Sequence, residues 1–489
     1  MTKSIIIFLA VMFAVKNFGN KISSSEYNVD DVTSIDRPNI LLITAEHIRV
    51  DNIAENGSAW MQTPNLDRLA REGANFTGAY IVGVACAPNR ASLFTGRYPQ
   101  HHGVRGNGIR LPESETTLTH VLKKEGYYTG QFGKLHFLPH ANRNHRGQHP
   151  SYGFDEMQIS DTNGLYDDDY VRWVRLKNPK QAQDILNVTP PQKRSLININ
   201  VFPGDKTLTH SAFVGDKTIG FIKRNVDRAW FAHAGFHAAH TSWLNPPNSQ
   251  LERYENVNLP KRAIIPKEKL NDLPDNYRNS IENTSHITEE EWKEFRKFFY
   301  ARVSEFDVQL GRIIEALEKT GQLENTIIIF TTDHGEYAGD HGLIGKSDLV
   351  YDSVFNIPLI YRGPGINNSA NSELVSIVDI MPTILELMQI PIPLGVKGKS
   401  HRLLLEGEGS GRESVYAESP TMRMIRTETT KYAIHPEGEI LFDMINDPNE
   451  FNNLASDASY KELLEYMRSH MRAKNFKLWD DLPEREASY

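Results

Sequence analysis

Four short predicted strands, each followed at once by polar or charged side chains, constrain the fold of this chain most. They are Ile40–Ile43, Tyr127–Phe132, Trp230–Phe236 and Thr326–Thr331. The continuous apolar run Ile40–Ile43 is typical of a strand that is buried on both faces, as in a parallel sheet. Because the carboxyl ends of parallel strands meet along one edge of a sheet, we expect the polar residues to lie together there. The sequence therefore predicts an α/β fold with a mostly parallel sheet flanked by helices.

The side chains that follow the four strands are suited to binding a cation and an oxyanion. They are Glu46, His47, Lys134, His136, His240, Asp333 and His334, with Lys346 a short way downstream. Carboxylate oxygens together with an imidazole suit a divalent cation. That cation, with lysine and histidine beside it, suits a tetrahedral oxyanion. Each residue alone has an ordinary structural explanation, such as a surface charge or a turn, and only their common position favours a functional site.

The chain has a single cysteine, Cys86, which begins the stretch CAPNRASLFTGR at residues 86–97. A lone cysteine forms no intramolecular disulfide, so its role is either packing as a buried thiol or reactivity. Pro88 favours the start of a helix from about Asn89, which would put Cys86 near the positive end of that helix. An anion held at residue 86 would be stabilised there.

Composition and the N-terminal segment bear on partners and location. The 489 residues include 54 Lys and Arg against 62 Asp and Glu, and the net charge of −8 argues against non-specific nucleic-acid binding. Lys3 precedes an apolar run, Ile5–Val15, that is too short to span a bilayer. Residues 1–25 are therefore predicted to be a signal peptide, and the protein to be periplasmic or secreted with no stable membrane span. A membrane-anchored N-terminus is the alternative.

Two domains are predicted. Beyond about residue 410 the pattern changes to short strand-like runs and a final helix from about Ser459 to Lys474, which is typical of a small antiparallel sheet with a packed helix. We therefore predict a catalytic α/β domain over residues 37–410 and a C-terminal α+β subdomain over residues 411–489. Within the first, residues 138–208 are predicted to be a long irregular connection, and Thr288 to open a helix with a capping box.

The stretch at Cys86 reads Cys-x-Pro-x-Arg followed by Ser-Leu-x-Thr-Gly-Arg, and it resembles the signature of the type I, formylglycine-dependent sulfatases. Further landmarks stand on either side of it in that family's order, at residues 38–40, 63–67 and 133–136, in the loop at His240, and at residues 333–335, 379–383 and 441–454. The resemblance implies an alkaline-phosphatase-like sheet flanked by helices, with a small C-terminal subdomain. The segment 133–137 is similar to that of a subgroup that includes polysaccharide-active bacterial sulfatases.

The resemblance also implies a chemistry. In that family a formylglycine-generating enzyme oxidises the cysteine to formylglycine (3-oxoalanine), and one hydroxyl of the hydrated aldehyde attacks the sulfur of the ester. The cation is usually Ca²⁺, with Mn²⁺ or Mg²⁺ as alternatives. By position, the residues that would hold it are Glu46, Cys86, Asp333 and His334.

The same resemblance gives roles to the other site residues. Lys134, His136, His240 and Lys346 would bind sulfate oxygens. His240 would also assist the leaving oxygen as a general acid. Arg90 would hold residue 86 and its hydrate.

One departure from the family pattern lies at Glu46 and His47, where two aspartates are common. Glu46 only lengthens the acidic arm and can reach a metal. Imidazole is a poor calcium ligand, so His47 is predicted to contact the substrate or a group behind the metal ligands.

The predicted function is an exported sulfatase that acts on a sulfated oligo- or polysaccharide, such as ulvan or another algal polysaccharide, or a glycosaminoglycan. Tyr166, Trp173 and Trp243 are candidates for stacking on sugar rings, with ordinary packing as the alternative. Two other functions stay open. One is a phosphate or phosphonate monoester hydrolase of the same superfamily, and the other is a non-catalytic carbohydrate-binding protein.

Overall fold

The fold consists of a mixed nine-stranded sheet covered by helices and a separate four-stranded antiparallel sheet near the C-terminus. It is described here from a computed structural model over residues 37–186, 197, 199–241 and 245–473. The predicted α/β class, with a small antiparallel sheet and helix after it, is confirmed. The predicted signal peptide and Trp243 lie outside the described residues.

The large sheet has the order β4-β3-β5-β1-β6-β7-β2-β8, with β9 paired to β2. Its strands are β1 (Asn39–Ala45), β2 (Ala74–Tyr80), β3 (Tyr128–Gly133), β4 (Glu156–Ile159), β5 (Trp230–Gly235), β6 (Thr326–Thr332), β7 (Asn356–Arg362), β8 (Ser369–Asn371) and β9 (Val375–Ser376). Strands β3, β5, β1 and β6 are parallel neighbours, whereas β7 runs antiparallel to both β6 and β2. The four strands predicted from the sequence therefore end at one edge of the sheet.

The described chain contains fourteen α-helices, several of them only one turn long. They are α1 (Pro64–Glu72), α2 (Cys86–Thr95), α3 (Pro99–His102), α4 (Leu118–Lys124), α5 (Asp169–Lys177), α6 (Pro179–Leu186), α7 (His210–Arg224), α8 (Asn248–Leu251), α9 (Asp275–Glu282), α10 (Glu289–Lys319), α11 (Asp352–Phe355), α12 (Ile380–Leu387), α13 (Arg402–Leu405) and α14 (Lys461–Ala473). None of the helices in the described ranges combines the length and the apolar character that a membrane span requires.

Strand β1 is buried on both faces, as its apolar sequence predicts. Ile40 and Leu42 pack in the hydrophobic core on one side of the sheet, and Leu41 and Ile43 pack in the core on the other side. This is the arrangement expected of a central strand in a sheet with helices on both faces. The two cores hold the carboxyl end of β1 in a fixed place.

Helix α10 is the longest helix and opens with the predicted capping box. The Thr288 hydroxyl accepts the Glu291 N–H at 3.3 Å, and the Glu291 carboxylate accepts the Thr288 N–H at 2.8 Å. Phe295, Phe299 and Phe306, spaced at helical intervals, are fully buried in the core that also contains Leu41 and Ile43. The spacing of apolar residues therefore predicts both the start and the buried face of this helix.

Residues 138–208 are more regular than the sequence suggests. This segment contains β4 and helices α5 and α6. Asp168 is buried, and it caps α5 by accepting the Val171 N–H at 3.1 Å. The helices are short and mostly polar, so their periodicity is too weak to read from the sequence.

The C-terminal sheet is the antiparallel meander β10 (Ser414–Glu418), β11 (Arg423–Thr427), β12 (Thr430–His435) and β13 (Gly438–Asp443). Helix α14 packs on it through Leu464 and Met467. The sheet and helix match the predicted content of the C-terminal subdomain, and the domain boundary at residue 410 stays a prediction.

We expect Asp307→Ala to lower the free energy of unfolding by about 1–3 kcal/mol, because it leaves buried N–H groups at the start of α1 without an acceptor. The Asp307 carboxylate on α10 accepts the Leu66 N–H at 2.8 Å and the Asn65 N–H at 3.1 Å. Urea unfolding followed by circular dichroism measures the change.

The matched control joins the same two helices by an exposed ion pair. Glu318 on α10 accepts from Arg68 on α1 at 2.8 Å, and both side chains are more than a third exposed. Glu318→Ala should therefore cost less than about 1 kcal/mol. An equal loss for the two variants would contradict the assigned role of Asp307.

Candidate active site

The polar residues that follow β1, β3, β5 and β6 lie together at the carboxyl edge of the sheet. Glu46 and His47 follow β1, Lys134 and His136 follow β3, His240 follows β5, and Asp333 and His334 follow β6. All seven are buried, and Lys346 is half-buried. Helix α2 brings Cys86 and Arg90 to the same place.

Cys86 is the first residue of α2, so the helix begins three residues earlier than predicted. Asn89 holds this turn in place: its side-chain oxygen accepts the N–H groups of Val82 and Gly83, and its amide donates to the Asp333 carbonyl at 2.6 Å. The Ala87 N–H donates to the Asn107 side chain at 3.1 Å. The N-terminal turn, with its positive dipole end, is therefore fixed against β6.

The Cys86 thiol contacts three predicted site residues. Lys346 Nζ lies 2.8 Å and His334 Nε2 lies 3.3 Å from Sγ, and His240 also hydrogen-bonds to the cysteine side chain. Burial alone would raise the pKa of the thiol, but the ammonium groups of Lys346 and Lys134 outweigh it and lower that pKa. Position 86 therefore favours a negatively charged group.

Four side chains offer ligand atoms to a single cation. The atoms of Glu46, Cys86, Asp333 and His334 all lie within 4.8 Å of one another. Glu46 Oε2 and Asp333 Oδ1 are buried and have no hydrogen-bond partner among the described residues. Buried carboxylate oxygens are costly unless something binds them, so the arrangement fits a divalent cation.

His334 is prepared to act as a ligand of such a cation. Its Nδ1 atom lies 2.9 Å from the Gly335 carbonyl, which fixes the hydrogen on Nδ1 and leaves the lone pair on Nε2. Burial lowers the pKa of His334 to about 4, so the ring is neutral at ordinary pH. Lys346 Nζ donates to Nε2 at 2.5 Å.

Two buried cations compensate the two carboxylates. Lys134 Nζ donates to Glu46 Oε1 at 2.5 Å, and Arg90 Nε donates to Asp333 Oδ2 at 2.9 Å. Burial would raise the pKa of Glu46, but Lys134, followed by nearby histidines and Arg90, holds it well below its usual value. Arg90 also donates to the Lys134 carbonyl at 3.1 Å, which joins the two ion pairs.

His136 lies beside this centre, and both of its ring nitrogens are buried and have no hydrogen-bond partner within the part of the chain that the structure describes. Its ring stacks on His140 with centroids 3.8 Å apart. Asp161 fixes its backbone, because one carboxylate oxygen accepts the N–H groups of both Leu135 and His136 at 2.9 Å. His136 is therefore held in place while its ring stays available to a ligand.

His47 lies outside the group of four ligand atoms. Its Nδ1 atom contacts Glu336 Oε2 at 2.6 Å, and its ring lies 4.4 Å from the His240 ring and 4.6 Å from the His334 ring. Burial, followed by the charges of His240 and Lys346, holds the pKa of His47 well below its usual value. Burial also raises the pKa of Glu336 to about 8.

Sequence reasoning missed four residues of this site: Asn89, Asp161, His237 and Glu336. His237 is buried, with Nε2 only 3.7 Å from Glu46 Oε2. His237 directly follows the predicted strand Trp230–Phe236, and Asp161 lies two residues after β4, so position after a strand is a signal that could have found both. Asn89 lies within α2 and Glu336 lies four residues beyond β6, where no such signal marks them. Their roles depend on contacts between distant segments, which spacing along the chain does not reveal.

The comparisons with known proteins agree with this fold. The family profile for sulfatases matches residues 38–390, and a profile described as the C-terminal part of N-sulphoglucosamine sulphohydrolase matches residues 339–477. The chain therefore belongs to the sulfatase family and is a sulfuric ester hydrolase. The alternative of a non-catalytic carbohydrate-binding protein is set aside.

Individual relatives align over most of their lengths. An arylsulfatase of Clostridium perfringens is 28% identical, with 88% of this chain and 93% of that protein covered. An ulvan-active sulfatase of Formosa agariphila is 26% identical, with 98% and 88% covered. The solved structure of a phosphonate monoester hydrolase of Agrobacterium radiobacter superposes with a TM-score of 0.78 at 26% identity, with 92% and 99% covered.

We expect the purified protein to retain a single divalent ion, and Asp333→Asn to lose most of it, because the variant removes one anionic ligand. Inductively coupled plasma mass spectrometry after gel filtration measures the content. Added Ca²⁺ should raise the melting temperature of the metal-stripped wild type more than that of the variant. Glu418→Gln is the control, since Glu418 is buried, lies outside the four-residue ligand group and accepts the Gln100 N–H. Equal metal content in Asp333→Asn and wild type would contradict the assignment.

Proposed function

We propose that this protein is an exported sulfatase that hydrolyses sulfate esters of a sulfated carbohydrate. The observation that carries the proposal is the position of Cys86 at the start of α2, within 2.8 Å of Lys346 and inside the four-residue ligand group. A tetrahedral anion bound there would meet a helix N-terminus, a cation and ammonium groups together.

Residue 86 is proposed to be formylglycine, made from Cys86 by a formylglycine-generating enzyme. The family membership and the motif at residues 86–97 support this. Hydrated formylglycine supplies a nucleophilic oxygen with a second hydroxyl that allows sulfate to leave without hydrolysis of a stable ester. Lys346 and His240, which contact the residue 86 side chain, would orient it.

The cation is proposed to be Ca²⁺, with Mn²⁺ or Mg²⁺ as alternatives. Glu46, Asp333, His334 and residue 86 would hold it, and a cation there supplies charge stabilisation for the sulfate group and the nucleophile. Two carboxylates and one imidazole are an oxygen-dominated set, which favours hard cations. Lys134 and Arg90 would keep the two carboxylates ionised and in place.

The remaining polar groups are proposed to bind the sulfate and to help the leaving group. Lys346, Lys134 and His136 would donate to sulfate oxygens, because each is a donor near residue 86 or Glu46. His240 would donate a proton to the leaving oxygen. It is the least buried of the site histidines, at 7% exposure, which suits a group that faces the rest of the substrate.

The substrate is proposed to be a sulfated polysaccharide or an oligosaccharide derived from it. The ulvan-active relative, which aligns with 98% of this chain, supports an algal polysaccharide such as ulvan, with glycosaminoglycans as the second class. Tyr166 stacks on His145 with ring centroids 4.1 Å apart, and it remains a candidate for stacking on a sugar ring of the substrate. Trp173 packs against Tyr170 and Phe213, so ordinary packing explains it.

The alternative activity is hydrolysis of phosphate or phosphonate monoesters. The superposition on a phosphonate monoester hydrolase over 92% of this chain favours keeping it as the second candidate. Export to the periplasm or the medium rests on the predicted signal peptide at residues 1–25.

If residue 86 is formylglycine, the tryptic peptide that carries it should weigh less than the cysteine form, and Cys86→Ala should lower kcat/KM at least about a thousandfold, because the nucleophile is removed. Peptide mass spectrometry and sulfate release measure the two outcomes. Protein expressed without the modifying enzyme is the control and should carry the thiol. Full activity of a thiol form would refute the proposed chemistry.

On a substrate panel we expect kcat/KM to be higher for an aryl sulfate than for the matching aryl phosphate and phenylphosphonate, and highest for sulfated oligosaccharides. Ulvan and glycosaminoglycan fragments, each with its desulfated form as control, test which class of sulfated carbohydrate is the substrate. Ion chromatography measures the released anion. Faster phosphate or phosphonate hydrolysis at saturating metal would replace the sulfatase proposal by the alternative.

A further inference from the structure

Glu336 is a fully buried carboxylate behind the active site that the proposed function does not use. Its Oε2 atom lies 2.6 Å from His47 Nδ1. Its Oε1 atom accepts the Gly345 N–H and, at 3.2 Å, the Ala338 N–H. The carboxylate also hydrogen-bonds to the side chain of Thr241.

These bonds reach three separate segments that carry predicted substrate-binding residues. His47 belongs to the turn after β1. Gly345 immediately precedes Lys346, and Thr241 immediately follows His240. One side chain therefore connects three parts of the sulfate site that are distant in sequence.

The contact with His47 determines where that ring points. Nδ1 hydrogen-bonds to Glu336, while Nε2 is buried and has no hydrogen-bond partner in the described ranges. The ring lies 4.4 Å from the His240 ring and 4.6 Å from the His334 ring, and the charges of Lys346 and Glu46 act on its pKa. The second nitrogen is therefore turned toward the space that these site residues enclose.

The contact with Gly345 fixes the loop that carries Lys346. The Tyr337 N–H donates to the Gly345 carbonyl at 3.1 Å, so the loop is closed from the other side as well. Gly345 has a φ of 75°, a conformation that glycine adopts without strain. The adjacent Lys346 ammonium then lies 2.8 Å from Cys86 Sγ.

We propose that Glu336 is a positioning residue of the sulfate site, which through its hydrogen bonds holds the His47 ring with Nε2 facing the site and holds the Lys346 loop against residue 86. The proposal rests on the proposed function for the identity of the anion. Glu336 itself does not touch the substrate. It acts through His47 and Lys346, which do.

The test compares Glu336→Gln with Glu336→Ala. Glutamine has the same shape, with an oxygen for the Ala338 and Gly345 N–H groups and an amide group for His47 Nδ1, so it should keep kcat/KM within about threefold. Alanine removes every bond and should lower kcat/KM about a hundredfold, chiefly through KM. Glutamine as damaging as alanine, or alanine within threefold of wild type, would overturn the proposal.

The link to His47 is tested separately by a double-variant cycle. The loss caused by Glu336→Ala should be about tenfold smaller in a His47→Ala background, since part of its effect passes through that ring. An equal loss in both backgrounds would overturn the link. If Glu336→Ala does not fold, His47→Ala alone, which leaves the loop bonds intact, should weaken sulfate binding about tenfold, and unchanged binding would again overturn it.

Two measurements separate a positioning role from a general structural one and from failure of the proposed function. Asp307→Asn is the matched control and should leave kcat/KM unchanged. Asp307 is another buried carboxylate that accepts two backbone N–H groups, but it lies between α1 and α10.

Titration calorimetry with inorganic sulfate measures binding without any turnover. Weaker sulfate binding in Glu336→Ala with recovery in Glu336→Gln supports the positioning role even if the wild type releases no sulfate from any ester. Equal binding in wild type and both variants overturns it.

Discussion

The buried ion pair between Glu46 and Lys134 is the interaction on which the rest of the site depends. A carboxylate at a fully buried sheet edge requires a partner that neutralises it, and Lys134 does so at 2.5 Å. Arg90 does the same for Asp333 and also binds the Lys134 carbonyl, so strands β1, β3 and β6 and helix α2 are joined by one network. With Lys346 in addition, the permanent positive charges of this network outnumber the two carboxylates. The surplus suits an anionic ligand. The two carboxylate oxygens that no described residue hydrogen-bonds suit a cation beside it.

The sequence predicts the parts of this molecule in which a short local pattern determines the structure. The apolar run of β1 and the capping box and stripe of α10 are patterns of this kind, and both are confirmed. The site residues that follow strand ends come together because parallel strands have their carboxyl ends along one edge of the sheet. Strand β2 was not predicted, since its sequence ANFTGAY has neither a continuous apolar run nor a strict alternation. Helices α5 and α6 were missed because only a few of their side chains are buried.

Positions that depend on contacts between distant segments could not be predicted in the same way. The departure at Glu46 and His47 is the clearest case. From the sequence, the residue types separate the two roles, because Glu46 can reach a metal and imidazole is a poor calcium ligand, but they do not show which group His47 contacts. In the structure, Glu46 joins the ligand group and His47, with a positive φ of 61°, turns to Glu336. The partner lies 289 residues further along the chain, and no local pattern indicates it.

The burial of Cys86 has a consequence for the order of events in the life of the chain. The side chain is 2% exposed, and its backbone is already part of helix α2, pinned by Asn89 and Asn107. If residue 86 is converted to formylglycine as proposed, the modifying enzyme has to reach a side chain that the folded protein buries. The conversion would then have to precede folding. A chain that folded first would keep an unmodified thiol, so the speed of folding would set a time limit on maturation.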